Sequence, residues 1–331
     1  MKKSIKIMAA VTAAAVAATG ISMLAVSKNT KSKFMTEKDF KLINPADEDA
    51  IYFLNTGSSD AIILQSNGHF AMIDAGEDND NPRGFPALTY KGYEDEIIEI
   101  LKKTAADENG NVHLDFILGT HSHSDHIGGF DTIINDNSIF IDKAYIKEYR
   151  SNNIRTEEID EWDNREVYDQ MVTALKNKNI PIISDMNSEP FKFGNFTLTM
   201  LNTEYDNGTK KIGENDNSIV VLVEKDGKRA LLTGDLDNKS HDEERIAETV
   251  GKIDLLKVGH HSYAGSTEKR FLKGVSPEVS IITNDYAHSD KRTLSRIAFY
   301  TKSKISFTVD EGGITAIFKN GEIIYTNHTG L

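Results

Sequence analysis

The stretch GTHSHSDHIGG at residues 119–129 decides the predicted fold, because it contains four potential metal ligands within six residues. It follows residues 114–118, which predict a largely apolar strand. His121 and His123 stand two residues apart on extended backbone, so their side chains point to the same side of the chain. We therefore predict that this pair of histidines holds one metal ion.

The second half of the same stretch predicts a second metal ion. Asp125 and His126 lie at the start of a predicted helix over residues 127–134, where both side chains can turn toward one cation. Asp125 is also predicted to take part in catalysis. Gly128 and Gly129 lack side chains and would let the backbone pass close beneath the site. A lone histidine is usually structural, but a buried cluster of this kind would be costly without a compensating cation.

Two later segments repeat the pattern of an apolar strand that ends in metal-binding residues. In LLTGDLD (231–237), Asp235 is the predicted bridging ligand, although in isolation it would be interpreted as an aspartate in a turn. In DLLKVGHH (254–261), one of the two histidines should complete the second metal. We predict His260 because it comes first after the strand, and we assign His261 to contact with substrate or the leaving group.

The N-terminus predicts export. Residues 1–33 carry six lysines and no acid, and they flank an apolar run over residues 7–26. This pattern is typical of a signal peptide, and its length also fits an N-terminal membrane anchor. A polar linker is predicted over residues 34–48, followed by a hydrolase domain over residues 49–331. The protein is therefore expected to be secreted or anchored in the cell membrane.

Composition narrows the class of ligand. The 331 residues carry a net charge of −13, and the exported body is more acidic still because its basic N-terminal segment is excluded. This balance disfavours tight binding to a nucleic-acid backbone, although it permits a local basic groove. The chain has no cysteine, so any metal must be held by histidine and carboxylate ligands. Such ligands permit zinc, manganese or iron.

The order of the predicted elements indicates an α/β (α+β) fold. Two β-rich halves, each accompanied by helices, predict two sheets packed face to face with helices outside, in a four-layer αββα sandwich. The main predicted strands cover residues 51–55, 61–65, 70–74, 218–223, 230–233, 253–258 and 305–309, and further helices are predicted at 93–103 and 294–300.

These motifs together resemble the metallo-β-lactamase superfamily over most of residues 50–327. The residues Asp60-Ala-Ile-Ile-Leu, 66–78, 121–126, Trp162-Asp-Asn164 and 234–238 closely resemble bacterial teichoic-acid phosphorylcholine esterases. The segments Asn217-Ser-Ile-Val, 258–262 and 284–288 are similar to the hydrolase domain of ComEC-type DNA-uptake proteins. The resemblance implies two zinc ions that activate water for hydrolysis.

Three functions follow from the resemblance, in order of preference. The first is a phosphodiesterase, or phosphorylcholine esterase, acting on wall or lipid-linked phosphoesters. The second is a nuclease of the DNA-uptake type, and the third is a non-catalytic metal-binding surface module. A lactamase proper is disfavoured, since the chain has no histidine between Asp131 and Ser240 and no cysteine ligand. The polar stretch over residues 214–218 stands in its place, where water or Asp216 is predicted to complete the first metal.

The remaining candidate residues would support the metals or contact substrate. Asp74 and Asp115 are expected to orient the ligand imidazoles. Trp162 is expected either to form an aromatic wall for a trimethylammonium group or to pack in the core. Further predicted contacts to substrate, phosphate or the metal shell are Asn217, Tyr286 and His288.

Overall fold

The computed structural model describes residues 28, 30–79, 91–205 and 213–327. The strands are β1 (Asp49–Phe53), β2 (Ala61–Ser66), β3 (His69–Ala75), β4 (Val112–Leu114), β5 (Phe116–Leu118), β6 (Ile139–Ile141), β7 (Ala144–Tyr145), β8 (Ile182–Ile183), β9 (Phe191–Phe193), β10 (Phe196–Leu201), β11 (Val220–Lys225), β12 (Lys228–Leu232), β13 (Leu255–Lys257), β14 (Val279–Ile282), β15 (Lys304–Phe307), β16 (Ile314–Lys319) and β17 (Glu322–Asn327). The helices are α1 (Glu94–Ala105), α2 (Ser124–Ile127), α3 (Phe130–Asn135), α4 (Thr156–Glu161), α5 (Asn164–Asn177), α6 (Asp242–Val250), α7 (Lys269–Val275), α8 (Lys291–Tyr300) and α9 (Thr308–Glu311).

Two large mixed sheets form the centre of the domain. The first has eight strands in the order β17-β16-β1-β2-β3-β5-β7-β8, and the second has seven in the order β15-β14-β13-β12-β11-β10-β9. Within them, β3 is parallel to β5, and β12, β13 and β14 are mutually parallel. The carboxyl ends of parallel neighbours lie at one edge of a sheet, so side chains that follow these strands are brought together.

Three apolar cores separate four layers. The middle core lies between the sheets, where Ile62 of β2 and Val221 of β11 belong to one buried cluster. An outer core joins the first sheet to α1, α3 and α5, and another joins the second sheet to α6, α7 and α8. This is the predicted αββα sandwich. The predicted helix over 127–134 is divided, since α2 ends at Ile127 and α3 begins at Phe130.

The N-terminal part of the predicted linker packs on the domain. Phe34 forms a parallel bridge with Ile305 of β15, and Phe40 forms one with Tyr325 of β17. Met35, which follows Phe34 in the chain, is also buried. The chain therefore spans the edges of both sheets, and its apolar side chains explain why residues 34–40 do not behave as a polar linker.

The predicted export segment over residues 1–33 lies largely outside the described residues. Among the residues that are described, no helix is long and apolar enough to span a membrane. The choice between a signal peptide and a membrane anchor thus stays a prediction.

Lys147, which follows β7, supplies a test of pH-dependent stability. It is buried, and its Nζ donates to the Glu204 carbonyl oxygen at 2.9 Å. Burial lowers the pKa of Lys147 to about 8. Between about pH 8 and the ordinary lysine pKa of about 10.5, the unfolded chain therefore binds more protons, and stability should rise with pH. We expect Lys147→Met to remove up to about 1.4 kcal/mol of this rise per pH unit.

Denaturant unfolding of both proteins between pH 7 and 10.5 measures this difference. Lys143→Met, just before β7, is a matched control, because Lys143 is only partly buried. Parallel stability curves for wild type and Lys147→Met would contradict the assignment.

Candidate metal centre

The candidate site lies where strands of both sheets end. β5 leads through Gly119 and Thr120 to His121, β12 leads to Asp235, and β13 leads to the pair His260-His261. These strands run parallel to their neighbours, so three segments that are distant in sequence deliver their ligands to one edge. The sequence predicted these three strand ends individually.

Glycines permit the close backbone approaches beneath the site. A Cβ atom at Gly128 would lie 2.4 Å from the Ser124 carbonyl oxygen and 2.7 Å from the Asp78 amide nitrogen. Gly234 adopts φ +49°, and a Cβ there would lie 2.9 Å from Thr120 Oγ1. Larger residues would displace the loops that carry the candidate ligands.

Asp125, His126, Asp235 and His261 offer four ligand atoms that lie within 4.8 Å of one another. His126 Nε2 lies 3.1 Å from His261 Nε2 and 3.2 Å from Asp235 Oδ1. His261 Nε2 lies 3.3 Å from both Asp125 Oδ2 and Asp235 Oδ2. Two nitrogens and two carboxylates in this arrangement form a donor set suited to a divalent transition metal.

Hydrogen bonds on the outer side of these imidazoles fix which nitrogen faces inward. His126 Nδ1 lies 2.7 Å from Asp74 Oδ2, so Nδ1–H donates to the carboxylate and Nε2 is left as a metal-binding lone pair. Thr283 Oγ1 donates to Asp60 Oδ1 at 2.6 Å and lies 3.0 Å from His261 Nδ1. It therefore accepts from Nδ1–H, which leaves His261 Nε2 free for metal.

His121 and His123 form a second donor pair, with Nε2 of the first 3.0 Å from Nδ1 of the second. Thr120 Oγ1 donates to Asp74 Oδ2 at 2.8 Å and lies 3.0 Å from His121 Nδ1, so it accepts from Nδ1–H. His123 Nε2 lies 3.1 Å from Glu158 Oε1. Two nitrogens bound to one tetrahedral zinc would stand about 3.4 Å apart, which is close to the observed separation.

The electrostatics of the cluster favour a bound positive charge. Burial alone would lower the pKa of His126, but Asp235, Asp74 and Asp125 outweigh it and raise the pKa well above the usual value. The same excess of negative charge would be neutralised by divalent cations in place of protons. The residues present therefore fit two metal ions of the kind predicted from sequence.

A buried ion pair lies against Asp235, the predicted bridging ligand. Lys257, at the end of β13, is fully buried and forms an ion pair with Asp60 Oδ2. Its Nζ also donates to the Gly234 carbonyl oxygen at 2.9 Å and lies 3.5 Å from Asp235 Oδ1. Lys257 thus contacts both the Asp235 carboxylate and the loop that carries Asp235.

Of the two adjacent histidines, the structure brings His261 rather than His260 into the four-residue cluster. His261 is fully buried, whereas His260 is partly exposed and its Nε2 lies 3.9 Å from Asp235 Oδ2. His260, His261 and Ser262 all have positive φ, at 51°, 47° and 68°. The chain here is therefore a left-handed turn and not the extended strand end on which the prediction of His260 rested, and this conformation is strained for residues other than glycine.

The other candidate residues divide between the site and the remaining surface. Asp74 lies beneath the cluster, and Trp162 stacks on His123 with ring centroids 5.3 Å apart. Asn217 is buried and donates to Glu214 Oε1 at 3.2 Å, and Glu214 Oε2 accepts from the backbone amide of Ser122, between His121 and His123. Burial raises the pKa of Asp216 to about 9, and the neighbouring Asp237 carboxylate adds to this shift.

Three predicted residues lie away from the cluster. Tyr286 packs against Phe34 with ring centroids 5.3 Å apart. His288 is exposed and its Nδ1 lies 2.7 Å from Asp285 Oδ2. The structure therefore brings neither residue to the metal ligands. Asp115 likewise pairs with the exposed His69 at 2.8 Å and orients no ligand imidazole.

A cavity of about 540 Å³ opens onto the ligands. Six carboxylates, three aromatic rings and three basic side chains contribute to its wall: Glu77, Asp125, Glu157, Glu158, Glu161, Asp235, Tyr93, Trp162, Tyr263, Lys91, Arg155 and Lys239. The wall is therefore acidic and aromatic, and its three basic side chains form ion pairs with Glu96, Glu158 and Asp237.

Several residues of the site were not singled out by sequence reasoning. Asp60, Glu77 and Glu158 are carboxylates from separate parts of the chain, and burial raises the pKa of Glu77 to about 8 with the help of the Asp125 charge. Lys257 did carry a usable signal, because a lysine in an otherwise apolar buried strand requires a buried partner. The sequence around the three carboxylates carried no such pattern.

Residues 73–264 match the family model described as a β-lactamase superfamily domain. The match covers more than half of the chain and contains the clustered ligands. The chain belongs to the metallo-β-lactamase superfamily, and this membership supports a metal-dependent hydrolase.

The curated relatives are competence and recombination proteins. The chain is 24% identical over 218 residues to ComE operon protein 3 of Bacillus subtilis, an alignment that covers 64% of this chain and 25% of that protein. It is 38% identical over 110 residues to Recombination protein 2 of Haemophilus influenzae, covering 32% and 14% respectively. The chain thus aligns with a quarter or less of the length of these relatives, and the similarity supports a ComEC-like link.

The solved structures that match this chain include a metallo-β-lactamase fold protein and a zinc-bound protein. The metallo-β-lactamase fold protein YhfI of Bacillus subtilis has a TM-score of 0.47 and 13% identity, over 84% of this chain and all of that chain. Zn²⁺-bound PqqB of Methylobacterium extorquens has a TM-score of 0.45 and 12% identity, over 78% and 87%.

Proposed function

We propose that this protein is a metal-dependent phosphodiesterase whose preferred substrates are phosphoesters of a cationic alcohol, of the phosphorylcholine type. The observation that carries the proposal is the cavity wall, where Trp162, Tyr263, Glu157 and Glu161 line the same cavity as the candidate metal ligands. Aromatic faces and carboxylates together are suited to a quaternary ammonium group.

The candidate ligands would bind two metal ions, and other buried residues would orient these ligands. His121 and His123 would hold one divalent cation, and Asp125, His126 and His261 a second, with Asp235 between them. Bound metals would supply an activated water and take up negative charge that develops on the phosphoryl oxygens. Asp74 and the Asp60–Lys257 pair would keep the ligands oriented, as their hydrogen bonds and ion pair indicate.

The basic side chains of the cavity would meet the phosphate. Lys91, Arg155 and Lys239 line the wall and are at least partly exposed. Because lysine and arginine bind phosphate oxygens, they can orient the diester at the metals while the carboxylates face the cationic alcohol. This division would leave a phosphodiester without a cationic group less well bound.

A nuclease is the second candidate, and the similarity to competence and recombination proteins favours it. Under this reading the same metals would act on a DNA backbone. The acidic net charge of −13 and the carboxylates around the cavity weigh against tight binding of a polyanion.

Hydrolysis by the full chain, supplied with zinc or manganese, tests the two candidates. We expect kcat/KM for p-nitrophenylphosphorylcholine to exceed that for p-nitrophenyl ethyl phosphate, which lacks the quaternary ammonium group, by about tenfold, as a desolvated cation–π contact provides. Single-stranded DNA and bis-p-nitrophenyl phosphate complete the panel, and chelator-treated protein is the blank. Cleavage of DNA without turnover of the choline ester would overturn the proposal in favour of the nuclease.

A further inference from the structure

Helix α4 and the residue that follows it contact one metal-ligand candidate directly. Glu158 Oε1 lies 3.1 Å from His123 Nε2, and the Trp162 ring stacks on the His123 ring at 5.3 Å and an interplanar angle of 27°. The imidazole is therefore held at its edge by a carboxylate and on its face by an indole. Both contacts come from one short segment of the cavity wall, residues 156–162.

The carboxylate selects the tautomer of His123. Since an ionised glutamate only accepts hydrogen bonds, His123 Nε2 carries the proton and donates to Glu158. Nδ1 is then the lone pair, and it faces His121 Nε2 at 3.0 Å. Without this acceptor, either nitrogen could carry the proton, and one of the two tautomers would present N–H to the metal.

Glu158 is itself fixed by neighbouring groups. The Glu214 backbone N–H donates to Oε1 at 2.9 Å, and Asn164 Nδ2 donates to the same oxygen at 3.1 Å. Arg155 NH2 lies 3.8 Å from Oε2. The carboxylate therefore stands in one place before any metal binds, and it transmits the position of α4 to His123.

The other three histidines are oriented from the core and not from a surface helix. His126 is tied to Asp74 on β3, His121 to Thr120 after β5, and His261 to Thr283 after β14. All three partners are buried, whereas no residue of α4 is buried. His123 thus differs from the other ligands in depending on an element that has little packing to hold it.

Resting on the metal centre of the proposed function, we propose that Glu158 is a positioning residue that makes the two metal sites unequal. The site formed by Asp125, His126, Asp235 and His261 is preassembled by the core and binds metal first. The site of His121 and His123 binds more weakly and is completed only when α4 is docked. Displacement of α4 would release the second metal while the first stays bound.

Titration of the metal-free full chain with Zn²⁺, and with Co²⁺ for its visible spectrum, tests this order. Wild type should bind two equivalents in two classes of affinity. Glu158→Ala should weaken only the looser class, by about 10–100-fold, and leave the tighter class unchanged. Asp160→Ala on the same helix is the matched control, because Asp160 is exposed and is not part of the cavity wall.

Glu158→Gln is the second variant, used if Glu158→Ala unfolds, which circular dichroism would show. Its amide oxygen still accepts from His123 Nε2, so the looser class should be weakened less than in Glu158→Ala. Equal weakening of both classes, or of neither, would overturn the positioning role. Wild type that binds fewer than two equivalents would instead contradict the two-metal centre of the proposed function.

Discussion

Replacement of Asp235 by asparagine is expected to lower kcat by at least about 10³-fold, because the variant loses the carboxylate between the two donor sets. Oδ1 lies 3.2 Å from His126 Nε2 and Oδ2 lies 3.3 Å from His261 Nε2. An amide keeps the shape of the side chain but supplies one weak oxygen ligand and an N–H₂ group that repels a cation. Metal content should fall from two equivalents to one or fewer, measured by mass spectrometry of the dialysed protein.

Asp237→Asn provides the matched control for this experiment. Asp237 is buried two residues further along, where it pairs with Lys239 and accepts from the Lys239 amide at 2.9 Å. It faces Asp216 and contributes no atom to the four-ligand cluster. We expect this variant to keep both metals and most of its activity. Retention of activity in Asp235→Asn would show that the chemistry occurs elsewhere.

Strand ends and turns could be predicted because their signals are local. The predicted strand over residues 61–65 corresponds to β2, and the helix predicted over 93–103 corresponds to α1 (Glu94–Ala105). The division of the helix after Ser124 was missed: Gly128 and Gly129 lower the local helix propensity, but low propensity alone does not fix where a helix is divided. The cause is tertiary: Gly129 approaches Ala75, whose carbonyl oxygen would lie 2.4 Å from a Cβ at this position.

The clustered metal ligands could be predicted from the sequence, whereas residues such as Asp60 and Glu158 that hold them in place could not. His121 to His126 are compressed into six residues, so their spacing carries the signal. Asp60 joins Thr283 across 223 positions, and Glu158 joins His123 across 35. No periodicity or turn rule links residues so distant in sequence, and only the tertiary fold brings them together. The bridge between Phe34 and Ile305 of β15 is likewise a tertiary contact that no local sequence pattern predicts.

His261→Ala is expected to cost more metal affinity than His260→Ala, the reverse of the order predicted from the strand end. His261 is buried, its Nδ1–H is donated to Thr283, and its Nε2 faces Asp125 and Asp235 at 3.3 Å. Its removal takes a nitrogen ligand from the core site. We expect affinity for the tighter metal to fall by more than about 100-fold, since changes even beyond the direct ligands cost 10–100-fold.

His260 should affect substrate more than metal. Its side chain is 27% exposed, lines the cavity and lies 3.4 Å from Asn215 Nδ2. We expect His260→Ala to keep two metal equivalents and to change KM or kcat by less than about tenfold, as loss of a single exposed hydrogen-bonding group does. Metal titration and steady-state kinetics on both variants decide the assignment. If His260→Ala lost the tighter metal while His261→Ala kept it, the left-handed turn at residues 260–262 would have to rearrange on metal binding, and His260 would be the ligand.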